Sequence, residues 1–476
     1  MGWQCKLADQ GWPSFSGFNG AVKLEDDMDS KLLQVLETRL HQAFQSQNLQ
    51  KINQIISAAP AREIKVLMER SNFHQRALLF RALPKTTAIA VFDLLDPAVQ
   101  ADLVSALRDD HVSAVVEAMD PHDRAELLDE LPASVATKIL AGLSPTERDL
   151  TGIVLGYPEK SVGRRMSPKF ATVHPTDSAE KALTHLTKVL DEVETIYTVP
   201  VTSAEKKLVG IVSLRDIMRA DKATLIKDLM KPEDSVSATQ PAEYAARLCA
   251  DRQRLALPVV DQENRLVGIL PLSDALDILE YANNEDQARI SGAEPLSRPY
   301  LATPIADFVK ARVVWLLVLA IGATLTIHVL ETFETTIAQM VVLSVFVPLL
   351  IGTGGNTGNQ AATTVTRAIA LGDIKRGDGL RVISREIRVG ALLGALIGTL
   401  GFALTSIFYG PQIGAVIGLT LLSICTLAAT VGGFMPLVAR KFGIDPAVFA
   451  NPFISTLLDA SGLIIYFLIA KAVLGI

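Results

Sequence analysis

The sequence has 476 residues, a formal net charge of −6 and 49% apolar residues. That length leaves room for two or three domains, and the mild acidity argues against a nucleic-acid partner. The 3 cysteines, Cys5, Cys249 and Cys425, are scattered, which excludes a disulfide framework and a paired-cysteine zinc site.

Charge is dense before residue 312 and nearly absent after it, apart from one basic loop. No basic patch followed by an apolar run opens the chain, so no cleaved signal peptide is expected and the apolar segments themselves direct insertion. Residues 1–30 are rich in Gly, Ser and Asp without periodicity, which predicts a disordered tail. Residues 31–160 then repeat in units of 12 residues, marked by Leu83-Pro84, Leu95-Asp-Pro97, Leu107-Arg-Asp-Asp110, Met119-Asp-Pro121, Leu131-Pro132 and Leu143-Ser-Pro145. Asp or Ser before Pro is a helix start, with the polar residue as N-cap and Pro at the first helical position. Each unit holds about two helical turns, too few to be stable alone, so neighbours must stack into an all-α solenoid.

A second repeat, offset by 58 residues, covers 161–222 and 223–281. Val199-Pro-Val201 recurs as Leu257-Pro-Val259, Lys207-Leu-Val-Gly-Ile211 as Arg265-Leu-Val-Gly-Ile269, and Asp216 as Asp274. Each copy reads as a lead-in turn, a helix, two short strands and a closing helix, an α+β module. The repeat resembles the CBS-domain pair, whose Gly-x-x-Ser/Thr-x-x-Asp run contacts a ribose. Gly210-Ile-Val-Ser213-Leu-Arg-Asp216 matches that run, whereas Pro271 replaces the hydroxyl residue in the second copy. The resemblance thus implies a candidate nucleotide site, ATP being the candidate, at Ser213 and Asp216. Dimerisation and ion sensing without a nucleotide is the alternative of equal weight.

Residues 282–311 form a connector: a polar helix that Gly292 and Pro295 should end, suited to transmit a signal or to serve as a passive link. Residues 312–476 contain five apolar segments, about 312–331, 337–370, 387–409, 413–438 and 450–474, each long enough to cross a bilayer. The basic residues gather after the second and fourth segments, which places the N-terminal domains in the cytoplasm and the C-terminus outside. The second segment carries Gly352-Thr-Gly-Gly-Asn-Thr-Gly-Asn-Gln360. Such backbone is tolerated at membrane depth where it packs on protein or lines water. Gly354 and Gly358 fit close helix packing, and Asn356, Asn359 and Gln360 can face a path; both readings can hold at once. In the last segment Asp459 is a carboxylate inside an apolar run with no Lys or Arg at membrane depth. Asn451, Ser455, Thr456 and Gly462 share its face, while Leu457, Ile464 and Leu468 point away. The residue reads as an ion site in a pore, with a buried structural carboxylate as the bland alternative. Gly354, Gly355, Asn356, Asn359, Asn451, Ser455, Thr456 and Gly462 are the candidate lining.

Five crossings, the Gly/Asn motif in the second, Asn451-Pro452 ahead of Asp459, a CBS pair and a repetitive helical N-domain together resemble the MgtE family of magnesium channels and transporters. The resemblance implies a homodimer in the cell inner membrane, with one pore built by two subunits. It further implies that Asp459 holds a hydrated Mg²⁺ and that the connector acts as a plug closing the pore when cytoplasmic Mg²⁺ is high. Regulatory Mg²⁺ ligands are implied at Asp109, Asp110, Asp274, Asp277, Glu285 and Asp286, while Ala90, Ser113 and Gln253 stand where carboxylates would be expected. The chemistry agrees: Mg²⁺ dehydrates reluctantly and takes oxygen ligands, and no cluster of softer ligands lines the apolar part. Other divalent cations remain candidate substrates. The rivals are a secondary carrier coupling entry to protons or another gradient through Asp459, a magnesium sensor without transport, and a membrane-bound enzyme. The enzyme is disfavoured because no nucleophile, base and metal-ligand cluster appears.

Overall fold

A computed structural model describes residues 36–40, 42–44, 49–57, 59–107, 109–232, 235–375, 377–442 and 451–475, with the backbone alone at 49–50, 109–111 and 451–452. The expected tail lies outside the described residues. The chain forms two compact units, one reaching to Ile278 and including Ser297–Thr303, the other comprising Leu279–Leu296 and everything from Pro304.

The first unit begins with short helices: α1 (Leu49–Ile56), α2 (Ala61–Glu69), α3 (Phe73–Ala82), α4 (Lys85–Asp93), α5 (Pro97–Ala106), α6 (Asp109–Ala118), α7 (Pro121–Glu130), α8 (Ala133–Gly142) and α9 (Pro145–Leu155). Asp96, Asp120 and Ser144 stand at N-caps before a first-turn Pro, as the repeat requires, but their side chains make no capping bond. Pro84 and Pro132 occupy the N-cap itself. Each helix packs chiefly on the next but one, and the shared core holds Ile64, Leu79, Phe92, Leu103, Val116 and Leu127. The structural period is two helices. Arg76 Nε donates to Met68 O (3.0 Å), Gln100 Nε2 to Phe92 O (2.8 Å) and Arg124 Nε to Val116 O (2.8 Å), each reaching the carbonyl eight residues back. A buried polar side chain on alternate helices therefore closes the open C-terminus of the helix before it.

The two α+β modules follow, separated from the helical stack by the single turn α10 (Val162–Arg165). The first contains α11 (Ala179–Lys188), β1 (Thr198–Thr202), β2 (Leu208–Ser213) and α12 (Leu214–Arg219). After the turn α13 (Ile226–Leu229), the second contains β3 (Val236–Ser237), α14 (Ala242–Asp251), β4 (Ala256–Val260), β5 (Leu266–Pro271) and α15 (Leu272–Ile290). β1 pairs antiparallel with β2 and β4 with β5, with the register slipping at equivalent places, Val201/Thr202 and Val259/Val260. The lead-in turns are exchanged. Ser167, ahead of the first module, bridges Ile269 of the second, and Lys231, ahead of the second, bridges Ile211 of the first. Gly210 and Gly268 make that exchange possible, because a Cβ at Gly210 would stand 2.7 Å from Lys231 O and one at Gly268 3.1 Å from Ser167 O. The closing helix of the second module and the first part of the connector are one helix. Nothing between Leu272 and Ile290 breaks it.

The second unit holds α16 (Ile305–Thr332), α17 (Glu334–Gln339), α18 (Val342–Ala370), α19 (Gly379–Tyr409), α20 (Pro411–Lys441) and α21 (Asn451–Leu474). Among the described residues four helices, α16, α19, α20 and α21, are long and apolar enough to cross a membrane. The fifth expected segment, α18, is equally continuous, but its Gly, Asn, Gln and Thr content lowers its apolarity. α20 is the centre of the bundle and packs on α18, α19 and α21. Gly390, Gly394 and Gly398 bring α19 onto it so closely that a Cβ at each would meet Cys425 O, Leu422 O or Gly418 O at 2.6–2.7 Å.

Arg124 is wholly buried and makes six hydrogen bonds, to the carbonyls of Val116, Glu117, Met119 and Glu147 and to the Thr151 and Glu147 side chains. Arg124→Ala strands that ring of acceptors and should cost about 3–5 kcal/mol. Gln100→Ala, which leaves one carbonyl open, should cost about 1–3 kcal/mol. Thermal melts of the two purified variants check the order.

Candidate functional site

Two adjacent helices of the second unit carry the polar groups. α18 turns Gly354, Gly355, Thr357 and Gly358 inward and leaves Asn356 and Gln360 exposed, with Asn359 half-buried between. The glycines divide their tasks. A Cβ at Gly354 would press on Ile424 of α20, and one at Gly358 would meet Leu458 and Ile454 of α21, so both serve close packing. A Cβ at Gly355 would meet only the Ser455 side chain, with Oγ at 3.7 Å. Asn359 Nδ2 donates to Ser455 Oγ (3.1 Å), joining the middle of α18 to α21.

Asp459 lies one turn beyond Ser455 on the same face of α21 and is half-buried. No Lys, Arg or His pairs with it among the described residues. The Asn359–Ser455 bond lies one turn from it along α21. Thr456 packs against Gly322 of α16, and Gly462 is buried against Ile424. Leu457, Ile464 and Leu468 are exposed, as the helical spacing requires. The side chain of Asn451, at the start of α21, lies outside the described residues. Among the described residues no three His, Cys, Asp or Glu groups gather into a metal-binding set. One carboxylate with amide and hydroxyl oxygens suits a cation that keeps most of its water, rather than a stripped and tightly chelated one.

The first unit holds a second charged centre, of which the sequence reading names only Asp274. His122, in the first turn of α7, is buried, and its Nε2 lies 3.2 Å from Asp274 Oδ2 and 3.5 Å from Asp123 Oδ1. Burial alone would lower the affinity of His122 for its proton. The close carboxylate of Asp274, with the charges of Asp123 and Asp120, outweighs that and raises it to about 9. Lys169 adds a second cation, 3.5 Å from Asp120 and 3.6 Å from Glu147. Arg164 pairs with Asp129 (2.6 Å) and Arg165 with Glu126, so the start of the first module is pinned to α7 by charge. The run Asp120-Pro-His-Asp123 loads one helix start with ionisable groups, and that density was the available signal.

The other sequence candidates are placed as follows. Asp109 and Asp110 open α6, and their side chains lie outside the described residues. Asp277 is exposed on α15. Glu285 is paired at 2.5 Å with Arg289 one turn along the same helix, and Asp286 follows it, half-buried. Ser213 Oγ accepts from Asp216 N (3.0 Å) as the N-cap of α12, and Asp216 pairs with Lys231 Nζ (3.3 Å). Pro271 at the equivalent place in the second module offers no such hydroxyl.

Because its proton is held more tightly in the fold than in the unfolded chain, protonated His122 stabilises this contact. That stabilisation is complete below the ordinary histidine value near 6.5 and is lost as pH rises through about 9. His122→Ala should therefore lower the melting point of the purified protein at pH 6–7, and the gap to the parent should close by about pH 10.

The comparisons with known proteins are consistent along the chain. The MgtE divalent cation transporter model matches residues 347–469, the MgtE intracellular N domain model residues 59–160, and the CBS domain model residues 160–223 and 226–281. The magnesium transporter MgtE of Thermus thermophilus is 33% identical over 447 residues, covering 92% of this chain and 98% of that protein. The magnesium transporter MgtE of Enterococcus faecalis is 31% identical over 320 residues, covering 67% of this chain and 70% of that protein. Among solved structures, the cytosolic domain of the Mg²⁺ channel MgtE in complex with ATP superposes with a TM-score of 0.48 at 28% identity, covering 51% of this chain and all of that one.

Proposed function

Since the chain belongs to the MgtE family of divalent cation transporters, we propose that it carries Mg²⁺ inward across the cell inner membrane as a channel closed by cytoplasmic Mg²⁺. The observation that carries this reading is Asp459, a carboxylate without a basic partner among the described residues, one turn from the Asn359–Ser455 bond inside an apolar bundle. Such a group is costly at membrane depth unless it faces a bundle interior or a water-filled path. In that path Asp459 attracts the hydrated ion, and Asn359, Asn356 and Ser455 supply oxygens that exchange hydrogen bonds with its water shell.

The reading includes five crossings, with α18 as the second. On α18, Gly352, Asn356, Gln360, Thr363, Thr364 and Arg367 stay exposed within one chain at three- and four-residue spacing. A polar stripe of that length suits a neighbour or water and not lipid. It speaks for a homodimer in which a second copy faces it across the path. The N-terminal unit then lies in the cytoplasm and the C-terminus outside, by the distribution of basic residues between segments. Asp274 beside His122, the side chains of Asp109 and Asp110, and Asp277, Glu285 and Asp286 are the proposed sensing acids. Ser213 and Asp216 are the proposed nucleotide contacts, with ATP as the ligand to test.

In proteoliposomes, the purified chain should take up Mg²⁺, and Asp459→Asn should reduce the rate by about 100-fold, equivalent to about 2.7 kcal/mol, without loss of the folded assembly. Uptake at the parent rate by Asp459→Asn would remove the ion site from Asp459. A panel of divalent cations in the same assay gives the selectivity, and single-channel currents separate a channel from a gradient-coupled carrier.

A further inference from the structure

The end of the connector is fastened to the base of α16 twice. α15 stops where Gly292 takes a left-handed φ of 70°, and Ala293 N reaches back to Ala288 O (3.0 Å), which turns the chain sharply. Glu294 N then donates to Ala311 O (3.0 Å), and Glu294 Oε1 accepts from Trp315 Nε1 (3.0 Å). Trp315 is the inward residue of this stretch of α16: it is 7% exposed, whereas Val314 and Leu316 are 59% and 61% exposed. An indole buried this far keeps its N–H only where an acceptor meets it, and a carboxylate is the strongest acceptor on offer.

The other side of the indole meets the helix that bears the ion-site carboxylate. Trp315 stands edge-on to Phe453 in the first turn of α21, with centroids 6.4 Å apart at 70°. Two turns along, Gly322 of α16 receives Thr456 of α21, three residues before Asp459. A continuous run of contacts therefore leads from Glu294 through Trp315 to Phe453 and the start of α21. All of it lies within one compact unit.

We infer that Trp315 is a positioning residue: it ties the end of the connector to the first turn of α21, so that a shift of Glu294 is transmitted to the helix carrying Asp459. This rests on the transport reading above for its consequence, though not for its geometry. Glu294 moves with the connector, whereas Phe453 moves with α21, and the indole is gripped by both. If the connector swings away, the buried N–H loses its acceptor and the ring must re-seat. Two arrangements of the base of α21 then follow from two positions of the connector.

The test uses the full chain with Trp3→Phe and Trp12→Phe, which leaves Trp315 as the sole indole of the 3 in the sequence. Emission and Mg²⁺ flux are followed in the same proteoliposomes as internal Mg²⁺ is raised. The expected result is an emission shift over the Mg²⁺ range in which flux stops. Glu294→Gln, which keeps the shape and removes the charge, should change the starting emission and raise the Mg²⁺ needed for half-closure at least about fivefold, with open-state flux retained. Trp315→Phe keeps an edge contact to Phe453 without the N–H and should raise it similarly. The double variant should be no worse than either single, because both remove one link. Half-closure at the parental Mg²⁺ in both single variants, or effects that add in the double variant, overturns the link. An emission spectrum unchanged by Glu294→Gln overturns it as well, whatever the flux. A parent that carries no Mg²⁺ removes the transport reading instead, and the spectrum of Glu294→Gln then decides the link alone.

Discussion

Holding a carboxylate among apolar helices is the demand that shapes the second unit. At membrane depth such a group costs about 2.5–3.5 kcal/mol on insertion scales, and Asp459 has no basic neighbour to offset it among the described residues. What it has is a helix, α18, whose middle gives up apolarity to place Asn359 within bonding distance of Ser455. A helix that polar cannot be left to lipid, so it must be gripped, and the grip needs backbones at close range. Gly354 and Gly358 bring α18 onto α20 and α21, and Gly390, Gly394 and Gly398 bring α19 onto α20 from the other side. These small residues set the close approach of α18 and α19 to α20 and α21.

In the first unit charge does a different task. The acids there are interleaved with cations from the chain itself: His122 against Asp274 and Asp123, Lys169 against Asp120 and Glu147, Arg164 against Asp129. On the connector helix, Glu285 is held by Arg289. Fixed side chains already neutralise part of the negative charge of these acids.

Much of this was legible beforehand because it rests on local rules. Pro at a helix start marks five of the six quoted 12-residue units, and Gly292 marks the end of the connector helix. Leu457, Ile464 and Leu468 fell on the exposed face of α21 because a helix leaves them nowhere else. What stayed hidden depends on contacts between distant segments. The two-helix period shows only once Arg76, Gln100 and Arg124 are seen to close the helices before them. Gly210 reads as part of a ribose-binding run, yet the space beside it is filled by the backbone of Lys231. His122 looks like any surface histidine until Asp274, from the far end of the second module, arrives beside it. Hydropathy divides α18 from its neighbours because of its Gly, Asn, Gln and Thr content, of which Asn359 and Thr357 bond to neighbouring helices while Asn356 and Gln360 stay exposed.

The exchanged lead-in turns of the paired modules bear on how the chain is made. As the polypeptide leaves the ribosome, α1 to α9 can collapse as they emerge, since their partners lie within a few tens of residues. The first module cannot be finished on the same schedule. Its sheet is completed by Lys231, which is synthesised with the second module, and its own lead-in at Ser167 stays without a partner until Ile269 appears. About a hundred residues of nascent chain must therefore wait with open strand edges, the condition in which chains most readily pair with the wrong neighbour. An interval of unpaired strand edge during translation, confined to this stretch, is built into the order in which these residues are joined.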